Sequence, residues 1–146
     1  MKNLALSLMM LIGVMACNQT KKDSSNELSG KMPKIVFADT GVYDFGEITE
    51  GDTVSRIFKF KNEGEFPLII NSTNASCGCT TPEWPKQPIE PGQESSIKVL
   101  FNSQGRRGVQ NKTVTVYANT DPAYTELSFR VMVNPRPDSA QAKTVQ

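Results

Sequence analysis

The chain has 146 residues, which is enough for one domain of ordinary size with tails and too few for two separate cores. It carries 16 Lys and Arg against 15 Asp and Glu, a net charge of +1, without a dense basic stripe, which argues against nucleic acid as a partner. Histidine is absent, which removes the commonest general base and the commonest metal ligand. We therefore expect no enzyme, no cofactor and no metal.

The N-terminal residues have the pattern of a signal peptide. Lys2 precedes an apolar run over residues 4–16, and Cys17 follows it directly. The run is shorter than the about 20 apolar residues that a membrane-spanning helix needs, and its length and flanking charge are typical of the apolar region of a signal peptide. We therefore predict that residues 1–16 are removed and that the chain leaves the cytoplasm.

The sequence Val14-Met15-Ala16-Cys17 resembles the lipobox of bacterial lipoproteins. The resemblance implies that Cys17 carries a diacylglycerol and anchors the chain in a membrane; the alternative is an ordinary secretory signal that happens to end near a cysteine. We expect a lipid-anchored protein of the cell envelope, at the periplasmic face of the outer membrane. Residues 17–33 are polar and are predicted to be a flexible tether, which reaches about 50 Å when fully extended.

Residues 34–135 are predicted to form an antiparallel β-sandwich. Short runs rich in Val, Ile, Phe, Tyr and Thr alternate with clusters of Gly, Asn, Asp and Pro, a pattern typical of strands and turns. Seven strands are predicted, at residues 34–38, 42–48, 53–62, 67–75, 94–102, 107–119 and 124–134. Residues 136–146 lack large apolar side chains except Val145 and are predicted to be a disordered tail.

Alternation of apolar and polar residues indicates which side chains form the core. Within a strand, every second side chain points to the same face of the sheet. The third, fifth and seventh predicted strands each place apolar residues on one face, and these are the predicted core: Val54, Phe58, Phe60, Ile97, Val99, Phe101, Leu127, Phe129, Val131 and Val133.

Two cysteines remain after Cys17 is assigned to the lipid, and they lie two residues apart at Cys77 and Cys79. In an oxidising compartment we expect them to form an intrachain disulfide, or to form one readily, that serves as a local staple rather than a catalytic pair. Gly78 is expected to make the bend through backbone angles closed to other residues. Disulfide exchange and Cu(I) binding remain open, although the flanking residues are only Ser and Thr. A closed zinc site needs about four ligands and is not expected.

Three further residues are candidates for ligand contact. Trp84 lies in TPEWPKQPIEPGQ, where proline recurs every third residue; this segment either anchors a ligand or, as we favour, is a stiff crossover between the two sheets. Arg106 and Arg107 lie in QGRRG and can grip a carboxylate or phosphate, although exposed arginines are common in turns. The carboxylates near the predicted turn after the second strand are expected to be solvated: Glu47, Glu50 and Asp52.

The stretches YDFGEITEGDTVSRIFKFKNEGEFPLII, SCGCTTPEWP, IEPGQESSIKVLFNSQGRRG and VTVYANT together resemble a bacterial envelope family of unknown function. Phe45-Gly46 and Pro91-Gly92 are similar to features of immunoglobulin-like domains of the major-sperm-protein, hydin and PapD groups. The resemblance implies an immunoglobulin-like sandwich and no known reaction. Two functions remain: an envelope binding or structural module with a protein or glycan partner, or an envelope thiol protein that handles disulfides or Cu(I).

Overall fold

The computed structural model describes residues 32–137 and contains eight β-strands. They are β1 (Ile35–Phe37), β2 (Val42–Thr49), β3 (Thr53–Asn62), β4 (Ile70–Ala75), β5 (Thr80–Glu83), β6 (Glu94–Asn102), β7 (Gly108–Ala118) and β8 (Tyr124–Asn134). The predicted signal peptide and Cys17 lie outside the described residues, as do nearly all of the predicted tether and tail. Within residues 32–137, no helix is long and apolar enough to cross a membrane.

The strands form two four-stranded sheets that pack face to face. Sheet A has the order β1-β3-β6-β5 and sheet B has the order β2-β8-β7-β4. This distribution of strands is that of an immunoglobulin-like sandwich, so the predicted fold is confirmed. One pairing departs from the antiparallel expectation, because β2 runs parallel to β8. The chain crosses from sheet A to sheet B after β1 and continues in the same direction, which places β2 parallel to the last strand.

The core lies between the sheets and consists largely of the residues that alternation predicts. Every predicted core residue of β6 and β8 is buried, as are Phe58 and Phe60 of β3. Val54, near the beginning of β3, is only partly buried and packs against the edge of the core. Aromatic rings join the two sheets, since Phe101 of sheet A lies edge to face with Phe129 of sheet B, with ring centroids 5.7 Å apart.

Strand β5 was not predicted, and its position changes the path of the chain. It pairs with β6 at the edge of sheet A, with Thr80 opposite Phe101 and Glu83 opposite Lys98. The four residues include Pro82, which cannot donate a backbone hydrogen bond but is tolerated in an edge strand. The proline-rich segment therefore connects β5 to β6 within sheet A, and the prediction that it crosses between the sheets is wrong.

The chain instead crosses from sheet B to sheet A between Ala75 of β4 and Thr80 of β5. We call residues 76–79, which make this crossing, the cysteine corner. The described chain begins at one end of the sandwich, here called the upper end, where residues 32–34 contact the end of β3. It leaves β8 at the opposite or lower end. The cysteine corner also lies at the lower end, because Asn102, the last residue of β6, donates its backbone N–H to Cys79 O at 2.9 Å.

Asn62 holds the upper end together. Its side chain is fully buried and its Oδ1 accepts hydrogen bonds from the backbone N–H groups of Lys34 (3.3 Å) and Gly64 (3.0 Å). Its Nδ2 donates to the carbonyl oxygens of Phe66 (2.8 Å) and Ile89 (2.9 Å). A single buried amide thus fixes the beginning of the domain and two loops.

Candidate functional site

Three turns meet at the lower end of the sandwich. The cysteine corner is joined to the end of β6, and the arginine turn (residues 103–107) follows directly. The arginine turn contacts the turn between β2 and β3, because Ser103 donates its backbone N–H to Asp52 O at 2.9 Å. The fold therefore brings the predicted cysteine and arginine candidates to one end of the molecule.

Ser103 is the buried centre of this end, and no sequence pattern predicts its burial. It is fully buried, and its hydroxyl lies 2.8 Å from Asp52 O and 3.0 Å from Thr49 O. The same oxygen accepts a hydrogen bond from the backbone N–H of Gly51 at 2.9 Å. Its partners are about fifty residues away in the sequence, so no local pattern could have revealed the contact.

Cys77 and Cys79 form the predicted disulfide, with their Cα atoms 5.2 Å apart. The bend is made by a hydrogen-bonded turn in which Thr80 donates its backbone N–H to Cys77 O at 3.2 Å. Gly78 does not adopt a left-handed φ, so the prediction that it needs backbone angles closed to other residues is wrong. Turns of this kind can be built with negative φ at both central residues.

The two sulfur atoms have different surroundings. Cys77 Sγ lies 3.4 Å from the hydroxyl of Thr80, a residue that is itself buried. Cys79 is partly buried and packs against the hydrophobic core. Gly78 between them is exposed, and a Cβ added to it would meet no atom within 4 Å. One sulfur therefore has a hydroxyl neighbour, the other has apolar neighbours, and the backbone between them is open to solvent.

The two arginines of the arginine turn differ in their contacts. Arg107 donates from Nε to the Glu50 carboxylate at 2.7 Å, and the Glu50 side chain is only 15% exposed. The prediction that Glu50 is a solvated turn charge is therefore wrong, since the fold pairs it with an arginine 57 residues away. Arg106 donates its backbone N–H to Ser103 O, and its side chain is exposed. No group of three or more His, Cys, Asp or Glu able to hold a metal ion occurs in residues 32–137.

Trp84 lies away from the lower end. It follows β5, is partly buried and packs against the core, while the Lys86 ammonium lies 3.0 Å from the centre of its ring. Its indole Nε1 is buried without a hydrogen-bond partner among the described residues. The structure thus separates Trp84 from the cysteine and arginine candidates and covers its ring with the chain's own lysine.

The outer face of sheet B carries exposed side chains in rows across the strands. Tyr117 of β7 lies opposite Tyr124 of β8; the two rings are exposed and their centroids are 6.4 Å apart. Rows of short polar side chains follow toward the lower end. The outward residues of the upper three rows are Ser72, Tyr117 and Tyr124, then Asn74, Thr115 and Glu126, then Ser76, Thr113, Ser128 and Val42.

A paired charge and two apolar residues complete this face near the lower end. Arg130 contacts Asp44 at 2.6 Å, and this hydrogen bond, with a second from the backbone of Gly46, holds the pKa of the Asp44 carboxyl below its ordinary value. The same carboxylate raises the pKa of Arg130. Val109 and Met132, opposite each other, form the last exposed row.

The fold is similar to several solved structures. A protein of unknown function from Porphyromonas gingivalis W83 superposes with a TM-score of 0.62 at 14% identity, over 71% of this chain and 48% of that one. The PapD-like domain 7 of human CEP192 gives a TM-score of 0.53 at 9% identity, over 91% of this chain and 99% of that one. The secreted serine protease VesC from Vibrio cholerae gives 0.53 at 8% identity, over 82% of this chain but only 26% of the protease.

At these identities the similarity concerns the fold alone. This chain spans about half of the Porphyromonas protein and about a quarter of the protease, so it corresponds to one part of each. No curated protein matches the chain in sequence. The family model described as "Protein of unknown function (DUF1573)" matches residues 35–133, which reach from the beginning of β1 into the end of β8, and the chain therefore belongs to this family.

Proposed function

We propose that the protein is a lipid-anchored module of the bacterial cell envelope that binds a neutral glycan on the outer face of sheet B. The anchor is Cys17, and residues 17–33 are the tether between the membrane and the sandwich. The observation that carries the proposal is the exposed pair Tyr117 and Tyr124 at the head of three rows that contain one charged side chain, Glu126.

The chemistry of these rows matches that of a sugar polymer. Aromatic rings offer a flat apolar surface with a polar rim, on which the C–H face of a sugar ring can stack. Hydroxyl and amide side chains both donate and accept hydrogen bonds, as sugar hydroxyls do. The three rows contain no cationic side chain, and the positive charge of Arg130 in the next row is paired with Asp44, so the surface offers little attraction for an anionic polymer.

The shape of this surface suits an extended ligand. Rows repeat along a strand at about 6.6 to 6.8 Å, twice the rise per residue, so the face is long and shallow. The chain enters the domain at the upper end, near which Tyr124 lies, so an anchored domain holds its tyrosine pair toward the tether. A glycan that runs along the membrane surface would meet the tyrosines first.

The proposal is tested by binding of the full chain to immobilised envelope polysaccharides, with neutral and acidic polymers compared side by side. We expect neutral polymers to be retained and the double variant Tyr117→Ala/Tyr124→Ala to lose at least about fivefold in affinity, since stacking on two rings contributes over about 1 kcal/mol. Ile57→Ala, which removes an exposed apolar side chain from sheet A, is the matched control. Equal retention of both variants, or retention of acidic polymers alone, would overturn the proposal.

A further inference from the structure

We propose that the cysteine corner is a dithiol–disulfide exchange site for protein thiols, in which Cys77 forms the mixed disulfide with the substrate and Cys79 is the resolving cysteine. This activity is independent of glycan binding, because the exchange chemistry uses Cys77, Cys79 and Thr80, and none of these belongs to the three rows on the outer face of sheet B.

The first observation is that the disulfide closes a very short loop. It joins residues two apart in the sequence, at a corner where β4 and β5 are already connected by the chain. The stabilisation that a disulfide gains from restricting the unfolded chain grows with the size of the loop that it closes, and here the loop is minimal. Two cysteines at this spacing therefore have little structural purpose.

The second observation is access. Cys77 is partly exposed, Gly78 is exposed, and the space where a Cβ of residue 78 would lie contains no atom within 4 Å. Because the glycine needs neither a left-handed φ nor a close approach here, its structural role is replaceable. What its missing side chain provides is room for a second sulfur to approach the disulfide, as exchange requires.

The third observation is the difference between the two sulfur atoms. The Thr80 hydroxyl, 3.4 Å from Cys77 Sγ, can donate a hydrogen bond to a Cys77 thiolate, and the buried position of Thr80 holds it in place. Hydrogen bonds to the charged form favour it. Cys79 packs against the core, where a thiolate is disfavoured. Cys77 is thus the better nucleophile, and its thiolate is the better leaving group when the mixed disulfide is released. Cys79 needs only to lie close enough to Cys77 to form and break the disulfide between them.

The reaction balances with a protein dithiol as the co-reactant. One substrate thiolate attacks Cys77 Sγ, which forms the mixed disulfide, breaks the Cys77–Cys79 bond and leaves a Cys79 thiolate that takes a proton from water. The second substrate thiolate then attacks the substrate sulfur of the mixed disulfide and expels the Cys77 thiolate toward Thr80. Two electrons pass to the corner, so the substrate leaves as a disulfide and the corner as a dithiol. Run in reverse, the reduced corner reduces a substrate disulfide.

The test compares single cysteines in the full chain carrying Cys17→Ser, so that the corner holds all remaining thiols. Cys79→Ser leaves Cys77, and Cys77→Ser leaves Cys79. We expect Cys77 to react with iodoacetamide at least about tenfold faster than Cys79 at pH 7, with a pH–rate midpoint at lower pH. In the Cys79→Ser chain, Thr80→Val should slow alkylation at least about threefold, whereas Thr81→Val at the exposed next residue should not.

A second measurement tests exchange itself. The oxidised corner, with both cysteines intact, should oxidise a synthetic dithiol peptide. In Cys79→Ser, the Cys77 thiolate should attack the disulfide-linked dimer of a single-cysteine peptide, trap a mixed disulfide and expel one peptide thiolate, and Cys77→Ser should do so at least about tenfold more slowly. Melting curves of each variant show that it is folded. Equal alkylation of the two cysteines, or a disulfide that the dithiol peptide leaves oxidised, would overturn the proposal, and neither result bears on glycan binding.

Discussion

Asn62 shows how much one buried polar side chain can contribute at the residue scale. Its amide makes four hydrogen bonds to backbone groups of the upper end. The side chain is fully buried, so water does not take over these hydrogen bonds when the amide is removed. Asn62→Ala should lower the free energy of unfolding by about 2 to 4 kcal/mol, because it leaves buried backbone groups without partners. Urea unfolding measures the loss. Asn111→Ala, at an exposed position of β7, should change stability by less than about 0.5 kcal/mol.

The ion pair between Asp44 and Arg130 predicts a dependence on pH. The pKa of Asp44 is lowered in the folded protein, first by its hydrogen bond to Arg130 and then by that from Gly46. The pair therefore stabilises the folded state above the ordinary aspartate pKa of about 4 and loses this contribution as the pH falls through the lowered value. Both side chains are exposed, so the effect is small.

Melting temperatures of the parent chain and of Asp44→Asn, recorded between neutral pH and pH 2, measure this effect. The difference should be largest near neutral pH and should vanish at the acid end. Glu126→Gln, which removes an exposed carboxylate from the same strand as Arg130, is the control. A difference that grows as the pH falls would contradict the assignment.

At the scale of elements, alternation located the strands that are long and buried on one face. The predicted bounds of strands β3, β6 and β8 coincide with the observed ones, because every second side chain of these strands enters the core. Strand β5 was not predicted, because four residues that include a proline are too few to show alternation of apolar and polar side chains. The point at which the chain crosses between the sheets was not predicted for a related reason. Which sheet a strand joins depends on partner strands that are far away in the sequence.

The candidate site likewise combines features that the local sequence reveals with features that depend on long-range contacts. The cysteines could be read directly from the sequence, whereas their unequal surroundings arise from Thr80 and the core, which only the fold places there. The pairing of Arg107 with Glu50 and the burial of Ser103 also depend on contacts over more than fifty residues. Rows on the outer face of sheet B depend on which strands pair and in which register, and no local pattern of the sequence reveals this.

Phe58→Ala and Phe129→Ala test the register of β3 and β8. Both rings are buried, one in each sheet, and each substitution should leave a cavity and cost about 3 to 5 kcal/mol. Ile57→Ala, which removes a side chain on the opposite face of β3, should cost less than about 1 kcal/mol. Chemical denaturation of the three variants provides the comparison. A loss below about 1 kcal/mol at Phe58 or Phe129 would contradict the observed register.

At the scale of the whole molecule, the proposed lipid anchor can be tested directly. Cys17→Ser should abolish lipid attachment and accumulate unprocessed precursor, because it removes the cysteine that we propose as the lipid acceptor. Fractionation of cells together with labelling by a radioactive fatty acid measures both effects. Cys77→Ser/Cys79→Ser, which keeps Cys17, should be processed and labelled normally. A Cys17→Ser chain that is trimmed and released into the membrane fraction as before would contradict the lipid anchor.

The parallel pairing of β2 with β8 has a mechanical consequence. The chain enters at the upper end and leaves β8 at the lower end, so a pull between its two ends draws β2 upward and β8 downward. Two parallel strands pulled in opposite directions slide along each other, and their hydrogen bonds, from Val42 opposite Ser128 to Thr49 opposite Asn134, bear the force together. An antiparallel hairpin pulled from its open end separates one bond at a time. A domain loaded in this way through its two ends resists tension by shear between β2 and β8.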